Sequence, residues 1–111
     1  MKMRRGLVAG LCTAAAMPLA HAQSVDTSAA EALIKKSGCL KCHSVSAKKE
    51  GPSFKDTAAR YKGKADAEKA LVTHLTTNPK IKVDGQEELH DALKTKNDAD
   101  VRNVVRYILS R

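Results

Sequence analysis

The hydrophobic positions of this chain change character once, near its start. Leu7–Ala20 is apolar and uncharged throughout, whereas every later apolar grouping is broken by polar residues. Ala30, Leu33 and Ile34 recur at helical spacing behind Thr27 and Ser28, either of which can cap a helix, with Glu31 in the first turn and Gly38 as its end. Ser44–Lys55 reads as a loop built around Gly51-Pro52. Asp56 is expected to cap a short helix through Tyr61, closed at Gly63. Asp66–Thr77 predicts a third helix with Ala67, Leu71, Val72 and Leu75 apolar, and Pro79 bars its continuation. Lys80–Lys96 is less regular; Asp84-Gly85 signals a turn, and Gln86–Leu93 is expected to form about two helical turns. Asn97 or Asp98 caps a last helix in which Val101, Val104, Val105, Ile108 and Leu109 repeat with the clearest amphipathic spacing in the chain. No strand alternation, internal repeat or low-complexity tract stands out, so the expectation is an all-α domain.

The uncharged stretch follows Lys2, Arg4 and Arg5 and leads into Ala20-His21-Ala22, a small-x-small pattern. This is the layout of a cleaved secretory signal peptide, residues 1–22, cut between Ala22 and Gln23. A membrane anchor is the competing reading, but the stretch is shorter than the ~20 residues that span a bilayer. Lipidation at Cys12 is rejected because Leu11 stands where a small residue is needed. One domain then remains, residues 23–111, and export places it in the periplasm.

That domain carries 17 Lys plus Arg against 12 Asp plus Glu, a balance of +5. Its 13 lysines are scattered along the chain, unlike a nucleic-acid arm. Nucleic acid is therefore excluded as a partner, and a basic surface suited to an acidic redox partner is expected. Three aromatics, Phe54, Tyr61 and Tyr107, make a thin core that a buried macrocycle would fill.

Only Cys39 and Cys42 remain after cleavage, and they stand in Cys39-Leu40-Lys41-Cys42-His43, the haem c attachment pattern. Two intervening residues let both thiols reach vinyl groups on one porphyrin face, and the next residue turns its imidazole toward the iron. A disulfide suits an oxidising compartment. A zinc half-site lacks a second pair of ligands, and a thioredoxin-like pair lacks its βαβ setting. Haem c is the reading adopted, with Cys39, Cys42 and His43 as its attachment and ligand residues. Arg4-Arg5 hints at export of a folded protein, which is set aside because haem attachment needs an unfolded chain with free thiols. In the following loop a Pro52 carbonyl can accept the His43 ring N–H and fix its tautomer.

Ala32-Leu33 to Gly38, Cys39–His43, Gly51-Pro52-x-Phe54, Ala59-x-Tyr61-x-Gly63 and Tyr107-Ile108-Leu109 together resemble the small bacterial class I cytochromes c, over nearly the whole domain. The resemblance implies four to five short helices around one covalently bound haem and the role of a monohaem electron carrier, not an enzyme. It also implies that the first and last helices cross, with Gly38 giving close approach and Tyr107 packing there.

One departure changes the picture. The resemblance implies methionine as the second axial ligand, yet Met1, Met3 and Met17 all precede residue 23. His90 lies where the family's ligand loop falls and is the expected replacement beside His43. Lys80, Lys82, Lys94 and Lys96 are rival ligands, and an open iron is a further alternative. His74 is expected to be a polar residue at the edge of the third helix. The preferred function is single-electron transfer at lower potential than His/Met relatives; the alternatives are a gas-binding haem protein or a small electron-transfer subunit of a larger oxidoreductase. No stable membrane anchor is expected, and the sequence does not name the oligomeric state.

Overall fold

Side-chain caps set where three of the four α-helices of this computed structural model begin. It describes residues 10, 12–16 and 24–111; the Ala22–Gln23 cut lies outside the described residues. Helix α1 spans Thr27–Lys36, and its cap is Asp26, not Thr27 or Ser28: the Asp26 carboxylate accepts from the Ala29 N–H at 3.0 Å. Any short oxygen-bearing side chain satisfies that free N–H, and the aspartate precedes both rivals. Helix α2 spans Phe54–Tyr61 and is capped by Ser53, whose Oγ accepts from Asp56 N–H at 3.0 Å. Asp56 was expected as this cap. It lies instead in the first turn, where its charge complements the helix dipole.

Helix α3 spans Ala67–Thr76 and helix α4 spans Asp98–Leu109. Asn97 caps α4, its side-chain oxygen accepting from Ala99 N–H at 2.9 Å and Asp100 N–H at 3.3 Å. Helices α1, α2 and α3 all pack on α4. Val104 and Val105 lie at the centre with Ala30, Ile34, Phe54, Leu71 and Ile108 around them. Burying each valine contributes about 1.5–3 kcal/mol, so α4 is the element on which the fold depends most. Tyr107 is buried at the α1–α4 crossing, with its hydroxyl 3.1 Å from Glu31 and its ring edge-on to Phe54.

Two expectations are corrected here. Gly38 does not mediate a close helix approach, because a Cβ there would meet nothing nearer than Lys41 Cε at 3.7 Å. Its φ of 75° is the reason for glycine: it ends α1 in the left-handed conformation and starts the next turn. The second correction concerns Gln86–Leu93, which does not form helical turns. Strand β1, Lys80–Val83, pairs antiparallel with strand β2, Gln86–Leu89, in a hairpin whose register sets Lys80 opposite Leu89. Asp84 and Gly85 form its two-residue turn with φ of 50° and 77°. That double positive φ is the twist a tight hairpin requires, and Asp-Gly is a preferred pair for it. The architecture is otherwise the expected helical one. Among the described residues no helix is long and apolar enough to cross a membrane.

Candidate cofactor site

Gly38 turns the chain into a single 3-10 turn, Cys39–Lys41, whose bonds run from Lys41 N–H to Gly38 O and from His43 N–H to Cys39 O. This tight turn presents Cys39, Cys42 and His43 to one cleft of about 390 Å³, a volume in the range of cofactor sites. Ile34, Leu71, Leu75, Leu93 and Ile108 form its apolar wall, and Ile81 and Val83 of the hairpin close one side.

His43 is fixed from three directions. Its Nδ1 lies 2.7 Å from the Pro52 carbonyl, which can only accept, so Nδ1 carries the proton and Nε2 is left for a metal. Phe54 stacks on the ring at 5.7 Å between centroids. Gly51 covers another face so closely that a Cβ there would lie 2.4 Å from His43 Cε1. The Gly51 N–H in turn donates to the Cys42 carbonyl at 2.8 Å, tying the loop back to the turn.

The two thiols are free, with no disulfide between them. Burial pushes the Cys39 thiol up from its ordinary pKa. Cys42 is also pushed up, first because its S–H donates to Glu50 at 3.2 Å, which favours the protonated form. A dithiol redox pair needs a stabilised thiolate, so both shifts oppose the thioredoxin-like alternative.

His90 stands across the cleft. Its N–H donates to Pro79 O at 2.8 Å, extending the hairpin ladder by one bond, and its carbonyl accepts from Asn78 Nδ2 at 3.0 Å. The segment after it is tied by Leu93 N–H to Leu75 O at 3.0 Å and by Lys94 N–H to the buried Ser37 Oγ at 2.9 Å. The His43 and His90 ring centroids are 6.1 Å apart. Two imidazoles sharing one ion, each nitrogen about 2.0–2.1 Å from it, have ring centres about 6 Å apart. This separation would allow both rings to reach one metal held between them. Burial lowers the His90 pKa, His43 adds to this, and the neighbouring Asp91 opposes it. Its Nδ1 is buried, and the Asp91 backbone accepts from the ring, which is part of what opposes the lowering. Of the rival lysines, Lys82 lines the cleft mouth while exposed, Lys80 is drawn out to Glu87 at 2.9 Å, and Lys94 and Lys96 are exposed.

His74 departs from expectation. It is not merely a polar residue at a helix edge: it lines the cleft, with its ring centroid 4.3 Å from that of His90. Burial lowers its pKa, and His90 and His43 lower it further. Helical spacing puts His74 three residues beyond Leu71 on the cleft side of α3, and that spacing was the one available signal.

A helical domain with two cysteines and a histidine on one turn, facing an apolar cleft with a second histidine opposite, defines a covalent haem protein. Residues 27–111 match the sequence profile of the cytochrome c family, and the chain belongs to that family. Its members bind haem c covalently through a cysteine pair, here Cys39 and Cys42, and work as electron carriers with redox partners. The chain is 33% identical to cytochrome c2 of Rubrivivax gelatinosus over 78 residues, covering 69% of this chain and 91% of that protein. It is 51% identical over 43 residues to cytochrome c-551 of Allochromatium vinosum, covering 39% of this chain and 46% of the relative. That match spans less than half of the relative's length. Among solved structures it is similar to the class 1 cytochrome MtoD of Sideroxydans lithotrophicus ES-1. The TM-score is 0.75 and the identity 44%, over 78% of this chain and 97% of that one.

Proposed function

We propose that this protein is an exported single-electron carrier whose one haem c has His43 and His90 as axial ligands. The observation that carries the ligand assignment is the 6.1 Å separation of the two rings across the cleft. The haem supplies the redox couple when bound. The chain's own residues attach it, hold the ligands in place and keep the pocket apolar. The Pro52 carbonyl orients His43 and raises its basicity through the Nδ1 bond. Imidazole in place of a thioether removes the ligand that raises potential. The midpoint is therefore lower than in His/Met relatives by about 0.1–0.3 V, within the ~0.8 V that axial ligation spans.

Residues 1–22 direct export and are cleaved after Ala22, which locates the carrier in the periplasm. The +5 balance of residues 23–111 suits an acidic docking surface on the redox partner. A gas-binding role requires a sixth position that opens readily. The bonds from Pro79 and Asn78 to the His90 backbone oppose that opening.

The decisive experiment is His90→Ala in the haem-loaded protein. The variant should lose the low-spin bis-histidine spectrum and bind CO readily when reduced. If it keeps the wild-type spectrum while His74→Ala destroys it, the ligand is His74 and the assignment is wrong.

A further inference from the structure

The outer strand of the hairpin has an edge that its ladder does not use. In an antiparallel pair, residues alternate between those that exchange backbone bonds across the ladder and those whose N–H and C=O point outward. The bond from His90 N–H to Pro79 O marks those two as a bonded pair. In the register that follows, Glu88 bonds with Ile81 and Gln86 with Val83, and Glu87 and Leu89 point their N–H and C=O away from β1. Among the described residues no other backbone bonds to β2 on that side. All four residues of β2 are exposed. Leu89, at 65%, is the most exposed large apolar side chain among the described residues. Such an edge is a template for one more strand.

Charge selects what fits there. Residues 84–91 hold Asp84, Glu87, Glu88 and Asp91 and no Lys or Arg, whereas the rest of residues 23–111 carries 17 Lys plus Arg against 8 Asp plus Glu. Lys80 takes up Glu87 at 2.9 Å, and among the described residues Asp84, Glu88 and Asp91 make no ion pair. Side chains alternate along a strand, so Glu88 and Leu89 lie on opposite faces of β2. A strand that answers both carries Lys or Arg on the Glu88 face and apolar residues on the Leu89 face. A second copy of this chain does not fit by two-fold pairing, which would set Glu87 and Glu88 of one β2 against those of the other. Glu88 and Leu89 line the cofactor cleft. A segment added to β2 therefore lies about 4.8 Å, one strand spacing, from residues of the cleft wall.

We propose that the free edge of β2 is the docking site for an extended basic segment of a second redox protein, paired backbone to backbone with Glu87 and Leu89. The inference rests on the electron-carrier reading and is independent of which histidine binds the iron. A carrier meets one protein that gives it an electron and another that takes it. The basic remainder of the surface suits an acidic partner, and the β2 edge receives a basic one beside the cofactor. Charge brings the segment to the edge, and the outward N–H and C=O groups of Glu87 and Leu89 fix its register.

The probe is a short capped peptide of alternating Lys and Val, titrated at low salt into the haem-loaded protein and followed by NMR. The Glu87 and Leu89 amides should exchange freely with water in the protein alone and become protected when the peptide binds. A peptide of alternating Glu and Val should not bind. Glu87→Gln keeps the outward N–H and should change the peptide's affinity by less than about threefold, because an exposed charge pair contributes little. Glu87→Pro removes that N–H without costing the ladder a bond, and should weaken binding by about a further tenfold. If the peptide fails to bind, or binds without protecting these amides, the proposal falls. If the two Glu87 variants behave alike, the attraction is charge alone and it falls as well. Amide protection is read on the unaltered protein, so that arm stands whether or not the proline variant keeps its hairpin. Protection that grows with protein concentration in the absence of peptide assigns the edge to a second copy and overturns the proposal. Failure of the carrier reading is separate: the haem-loaded protein would then show no reversible one-electron reduction, whatever the peptide does.

Discussion

The two sides of the cleft are built by different means. On one side Cys39, Cys42, His43, Gly51, Pro52 and Phe54 all fall within sixteen consecutive residues, and nearly every bond that fixes His43 is made inside that segment. On the other side His90 depends on Asn78 and Pro79 beyond the end of α3, and its loop on Leu75 and on Ser37 of the α1 terminus. Local bonds cost little loop-closure entropy, so the first side can take shape early and stiffly. The second side requires the helices to be docked first. Under the proposed ligation, a ligand held this way is the more easily released, and mutations sort accordingly.

The largest effect is expected where the stiff side has no slack. Gly51→Ala places a methyl carbon 2.4 Å from His43 Cε1. Neither the ring, held by Pro52 and Phe54, nor the loop, held by Cys42, can yield cheaply. Thermal or denaturant unfolding of the haem-loaded variant should show a loss of about 1–3 kcal/mol, the usual cost of overpacking. A variant as stable as wild type would mean that this side is no stiffer than the other.

A smaller loss is expected from Ser37→Ala. Ser37 is buried, and its hydroxyl is the acceptor for Lys94 N–H. Removing it leaves that N–H unpaired at a cost of about 1–2 kcal/mol. The diagnostic is where the effect appears. CO affinity of the reduced protein should rise severalfold because the segment beyond His90 loosens, while the His43 side stays intact.

The same contrast explains what could be read from the sequence. Cys39-x-x-Cys42-His43 and Gly51-Pro52 are legible because the chemistry needs those residue types at fixed short spacing. The last helix is legible because a buried face on α4 imposes its period. The hairpin was not. Asp84-Gly85 announced a turn, and Lys80-Ile81-Lys82-Val83 alternates, but Gln86-Glu87-Glu88-Leu89 is exposed throughout and shows no strand pattern of its own. Its conformation comes from pairing with β1, a contact between residues and not a local preference. His74 escaped for a related reason. A helix position reveals which side a residue faces, but not that His90 lies on that side.

The smallest effect is also the sharpest probe of the distal side. Asn78 follows α3 with a φ of 51°, a conformation that costs most L-residues energy but that asparagine and glycine adopt readily. Its side chain then donates to the His90 carbonyl at 3.0 Å, at an exposed position. Asn78→Gly keeps the backbone freedom and removes only the amide. Net loss of one solvent-exposed hydrogen bond should cost about 0.5–1 kcal/mol, and the added freedom of glycine in the unfolded chain adds to that loss. Asn78→Ala removes the amide and adds the left-handed strain, of order 1 kcal/mol more. Unfolding measurements on the two variants should therefore rank glycine above alanine. If the amide matters to the ligand, both should raise CO affinity of the reduced protein by a similar two- to fivefold, because both lose the same bond to His90. An increase confined to the alanine variant would assign the effect to backbone strain at the end of α3, leaving the Pro79 carbonyl as the one direct tie on the His90 backbone.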